Sequence, residues 1–127
     1  VANVGQITNL ASIQLAEEGY GSPSCIVLLA TGAETLVAGA KQVDEVLVLD
    51  GCPVTCAKKI ADEKCVPVAQ HIVVTELGIA KGPSKKYTAD DVEKIVAACW
   101  KGEGHTNKTA TPKKKTGGND RGCGGTC

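Results

Sequence analysis

The stretch LDGCPVTC, residues 49–56, sets two thiols, Cys52 and Cys56, four positions apart between an apolar run and an amphipathic one. Cysteines so placed can ligate a metal, exchange with disulfides, or simply pack. The first two uses need a thiolate, which the first turn of a helix favours through its dipole and its unpaired N–H groups. Asp50 ends the apolar run and is expected to cap the turn. Gly51 allows a tight turn, Cys52 falls at the expected N-cap, and Pro53 suits the first helical position. Cys56 follows one turn later, so both sulfurs are expected on one side of the helix.

A second C-x3-C pair, Cys123 and Cys127, stands in CGGTC among the last residues. Structural zinc takes four protein ligands. More than twenty residues separate position 101 from Cys123. At about 3.3 Å per extended residue they reach any point on a small domain. The two pairs together therefore allow a tetrahedral zinc site, and the same sulfurs suit an iron–sulfur cluster. A thiol–disulfide oxidoreductase or sulfur carrier needs fewer groups: Cys52 as attacking thiolate and Cys56 as resolving thiol.

Elements must hold these residues in place. Three short, β-branched runs predict strands at 25–30 (CIVLLA), 45–50 (EVLVLD) and 71–76 (HIVVTE). Val4, Ile7, Ala11 and Leu15 recur at helical spacing, as do Leu36, Val37, Ala40 and Val43. A third helix is expected over 53–64. A fourth, over 89–101, has Thr88 as cap and Val92, Ile95, Val96, Cys99 and Trp100 as its apolar stripe. The order α-β-α-β-α-β-α implies right-handed crossovers and a parallel sheet. The expected fold is α/β, a small Rossmann-like three-layer sandwich with a mainly parallel sheet of three or four strands. It occupies 1–101, and an initial strand is missing before the first helix. Residues 102–127 hold almost nothing apolar and read as a flexible Gly/Lys-rich tail ending in the C-x3-C segment.

Composition excludes several roles. The 127 residues carry 14 basic and 14 acidic side chains, with nine basic and twelve acidic up to position 101 and a net positive tail. Three aromatic residues, Tyr20, Tyr87 and Trp100, give little for base stacking, and PKKK (112–115) reads as a solvated charge run. Nucleic acid is not expected as a partner. No apolar run approaches the roughly 18 residues that span a bilayer, so no membrane role is expected. Seven cysteines in an α/β pattern point to the cytoplasm and to metal or redox chemistry.

NVGQI (3–7), Cys25 in SCIVLLATGAE, VLDGCPVTCAKK (48–59) and HIVVTELGI (71–79) resemble the DGC-domain family of zinc-binding proteins, over about residues 2–80. The resemblance implies an α/β domain without an assigned reaction. It also implies zinc held by four cysteines, three of which match Cys25, Cys52 and Cys56. The family's first cysteine lies in a loop before NVGQ. The terminal GCGGTC, joined to VANVGQ, resembles that loop, which makes Cys123 or Cys127 the candidate and predicts Cys127 beside Val1. Cys25 ranks last as a ligand, because it opens its expected strand, far from the carboxyl edge that carries Cys52.

The remaining candidates read as structural. Cys99 belongs to a core stripe, Cys65 is a partly buried thiol, His71 sits at the rim opposite the site, and His105 lies in the linker. TGAE (31–34) lacks a full phosphate-loop pattern. The expected function is cysteine-based metal binding, with zinc on Cys52, Cys56 and the Cys123/Cys127 segment. Its role would be closure of the tail, or metal storage or delivery. Thiol exchange is the alternative, and a protein-interaction module with incidental thiols the third reading.

Overall fold

The computed structural model describes residues 2–106. The chain runs α1 (Asn3–Glu17), α2 (Ile26–Ala30), α3 (Glu34–Gln42), β1 (Leu47–Asp50), α4 (Cys56–Glu63), β2 (Gln70–Val73), a short 3-10 turn (Val74–Leu77) and α5 (Ala89–Trp100). β1 and β2 pair in parallel, with Leu47 opposite Gln70 and Asp50 opposite Val73. The strand–helix–strand unit through α4 therefore stands as expected.

Pleating sends alternate strand residues to opposite faces. Leu47, Leu49 and Ile72 join α1 and α5 in one core, with Val4, Ile7, Ala11, Leu15, Ile95 and Val96 at its centre. Val46 and Val48 face the other way and join Leu29, Ala61 and Val66 with α3 and α4. Helices thus cover both faces of the sheet. The helical spacing in α1 and α5 reads directly onto the first core. Thr88 and Asp91 form a reciprocal capping box at the start of α5.

Four expectations need correction. The run 25–30 is not a strand: Cys25 is the N-cap of helix α2. A buried strand would be covered on both faces, whereas only Leu29 is buried here and Val27 is 65% exposed. A short apolar run carries no period that separates strand from helix. Among the described residues the sheet therefore has two strands, not three or four, and no Rossmann-like sheet is present. The run 71–76 leaves the strand conformation after Val73, because Val74 turns into the α1/α5 core. Trp100 is half exposed rather than part of the core stripe. Its ring meets Tyr20 edge-on at 4.7 Å while its N–H donates to Glu18 at 2.7 Å, which keeps the polar edge wet.

Residues 102–106, assigned to the tail by composition, lie along β2. His71 N donates to Gly104 O, and Thr106 N donates to Ala69 O. A Cβ on Gly104 would fall 1.9 Å from His71 O, so only glycine fits this approach. Buried Gln70 anchors the corner: its Nε2 donates to the carbonyls of Cys99 and Glu103, and its Oε1 accepts from Tyr20.

Cys99 is in the core as expected, 1% exposed, and burial pushes its thiol up to about 11 from 9.0. The folded state keeps the proton that the unfolded state loses first. Stability from this group is complete below about pH 9 and is lost as pH rises toward 11, by on the order of 2 kcal/mol. Urea midpoints measured across that range should converge for wild type and Cys99→Ala as the pH rises. A constant gap between them would contradict the assignment.

Candidate functional site: a two-cysteine cleft

The cleft lies beyond the carboxyl end of β1, where open parallel sheets place ligands. Ala2, Val4 and Gly5 of the α1 entry, Asp50, Gly51, Cys52, Thr55, Cys56 and Lys81 line a space of about 180 Å³. Cys52 and Cys56 therefore meet one cavity, as their spacing predicts. The helix between them differs from expectation. Residues 51–54 form a turn, α4 begins at Cys56, and Cys52 is not its N-cap. The N-cap position is Thr55, held at φ 52°, a strained value for a β-branched residue, with no capping bond from its side chain. This left-handed step brings the turn that carries Cys52 and the helix that carries Cys56 to the same opening.

Asp50 supplies the missing cap from a distance. It is buried, and its Oδ1 accepts from Ala57 N at 2.9 Å while its Oδ2 accepts from Lys58 N at 3.1 Å. His71 Nε2 lies 2.9 Å from the same Oδ2. His71 is thus not at an opposite rim, as the strand pattern suggested. It lies on the same sheet face as Asp50 and reaches forward along it. Its role is structural, as expected, but it serves the site.

Gly51 lets α1 and the Cys52 turn touch. A Cβ there would sit 3.0 Å from Val4 Cγ2, 3.1 Å from Val4 C and 3.2 Å from Gly5 N. Two of these three atoms are backbone and cannot swing away. Gly51→Ala should therefore cost about 2 kcal/mol through displacement of the α1 first turn. A urea midpoint unchanged by this substitution would show that the contact is slack.

Two site residues escape sequence reasoning. Lys81 Nζ lies 3.7 Å from Cys52 Sγ. Buried Asn3 holds the loop that delivers it: Nδ2 donates to the carbonyls of Ala80 and Lys86, and Oδ1 accepts from Gly82 N. The only sequence signal for Asn3 is a polar residue opening an apolar helix; Lys81 gives none.

Among the described residues, Cys52 and Cys56 are the cysteines that line the cleft. Cys25 is exposed at the start of α2 and does not line the cleft. Cys65 is half-buried after α4, but it is disulfide-bonded rather than the thiol expected. Cys123, Cys127 and the expected approach of Cys127 to Val1 lie outside the described residues. Among the described residues no group of three or more His, Cys, Asp or Glu is placed to hold a metal ion. His105, beside β2, faces Glu45 at 3.9 Å. No helix among the described residues is long and apolar enough to cross a membrane.

Comparison with known proteins agrees with the motif. The chain is 30% identical over 95 residues to the anaerobic and virulence modulator AnvM of Pseudomonas aeruginosa, an alignment covering 74% of this chain and 72% of that protein. No solved structure matches. Residues 1–99 match the model of the DGC domain, in which Asp50, Gly51 and Cys52 spell the name, and the chain belongs to the DGC domain family.

Proposed function

We propose that the cleft is a thiol–disulfide exchange centre, with Cys52 as nucleophile and Cys56 as resolving thiol. The observation that carries this reading is the Lys81 ammonium 3.7 Å from Cys52 Sγ in a cleft that Cys56 also lines. A cation beside sulfur stabilises the thiolate that attacks. Cys52 attacks one sulfur of a disulfide, the S–S bond breaks, and the far half leaves as a thiolate. Cys56 thiolate then attacks Cys52 Sγ and releases the second half. The protein loses two electrons, the disulfide gains two, and the protons of Cys52 and Cys56 end on the two released thiols. A cysteine pair that follows the redox state of its surroundings also suits a relative named as an anaerobic modulator.

The test is reaction of the reduced full chain with a small disulfide, followed by non-reducing peptide mapping. The wild type should yield a Cys52–Cys56 disulfide, and Cys56→Ser should accumulate a mixed disulfide on Cys52. Lys81→Ala should slow modification of Cys52 roughly threefold, the scale of one exposed charge contact. Failure of Cys56→Ser to trap Cys52 would end this reading.

Zinc remains a second proposal, favoured by two sulfurs facing one cleft. The described residues fit it incompletely, with two donors where structural zinc takes four, so the others would come from Cys123 and Cys127. Stoichiometric zinc after anaerobic purification, with Cys52 and Cys56 both unreactive, would select it over exchange.

A further inference from the structure

We infer that the disulfide accepted by this cleft is a small one whose halves carry a negative charge, such as a carboxylate, and that Lys81 selects it. The inference rests on the exchange reading of Cys52 and Cys56 and adds the substrate class. Asp50 and Lys81 are the charged residues of the cleft lining. Asp50 is 5% exposed, and both its oxygens are occupied by Ala57 N, Lys58 N and His71, so it offers no accessible negative charge. Lys81 is exposed and stands at the sulfur itself.

Other features give the field the same sign. The loop 78–88 carries Lys81, Lys85 and Lys86 and no acidic residue. Asn3 pins the backbone of that loop beside the start of α1, which keeps Lys81 at the opening. The first turn of α1 lines the same cleft and turns its positive end toward it, whereas the α4 end is already capped by Asp50. A cleft whose accessible charge has one sign raises the local concentration of oppositely charged reactants. The volume, about 180 Å³, is well above what a single water needs and admits a side-chain-sized group. An anionic half-disulfide would set its sulfur against Cys52 with its charge toward Lys81. The leaving thiolate would then depart past the same ammonium.

The experiment compares three disulfides of similar length on the reduced full chain: dithiodipropionate (anionic), hydroxyethyl disulfide (neutral) and cystamine (cationic). Quenched samples are mapped by mass spectrometry, and Cys52 is scored against Cys25, an exposed thiol outside the cleft in the same molecule. Dividing by Cys25 removes differences in leaving-group chemistry. The anionic-to-cationic rate ratio at Cys52 should exceed that at Cys25 by about tenfold at low salt. High salt and Lys81→Gln should each reduce the excess to threefold or less, whereas Lys81→Arg should retain it. Equal ratios at Cys52 and Cys25, with Cys52 still reactive, would overturn the substrate class and leave exchange standing. Cys52 inert toward all three disulfides would overturn both.

Discussion

Replacing Asp50 with alanine is expected to destabilise the protein by about 3 kcal/mol. The carboxylate is buried, accepts from two amides of the α4 first turn and faces His71 Nε2. Thr55 cannot replace it, because its side chain caps nothing and its backbone is left-handed. Alanine would leave Ala57 N, Lys58 N and the imidazole without their acceptor at the end of a short helix. The cleft beside Asp50 lets water in, which holds the cost below that of a sealed charge. Asp50→Asn keeps one acceptor oxygen but turns an amide donor toward another donor, so about half of the loss should remain. Urea unfolding measures the first effect. Amide exchange at Ala57 and Lys58 locates it, since both should lose protection before the α1/α5 core does. A midpoint within about 0.5 kcal/mol of wild type for Asp50→Ala would refute the capping role.

Asn3→Ala is expected to cost about 3 kcal/mol, with a consequence at Cys52. Three side-chain bonds, to Ala80 O, Lys86 O and Gly82 N, are made by a residue that is 3% exposed. Each contributes on the order of 1 kcal/mol, and alanine returns none of them. Asn3→Asp is no remedy: the oxygen that replaces Nδ2 would face the two carbonyls that the amide nitrogen now serves, so it should be at least as unstable. Once the loop is released, Lys81 leaves Cys52, and the reactivity of Cys52 relative to Cys25 should fall toward that of Lys81→Ala. Unfolding and thiol-modification rates on the same preparations check both halves. A destabilised Asn3→Ala whose Cys52 reacts as in wild type would show that Lys81 does not depend on the loop anchor.

The thiol pair was legible because residue type and spacing are local. Cys52 and Cys56 are four positions apart, and a turn leading into a helix keeps them together whatever its details. Cys99 and the α1 and α5 stripes were legible for a similar reason, since a helical period survives any packing arrangement. The run 25–30 was misread because its β-branched composition suits a strand, while its tertiary setting has one burial position, filled by Leu29. Cys25 therefore begins a helix and lies outside the cleft.

Sequence alone determined where the thiols are, which helices are amphipathic, and that Asp50 closes a strand beside a glycine that allows a tight turn. It had no means of finding Lys81, 29 positions from Cys52, or the link between Asn3 and Lys86, 83 positions apart. Those contacts exist because the two cores bring α1, the β1 end and the 78–88 loop to one edge of the sheet. Which charge faces a sulfur is decided by the meeting of distant backbone segments, and no local periodicity records it.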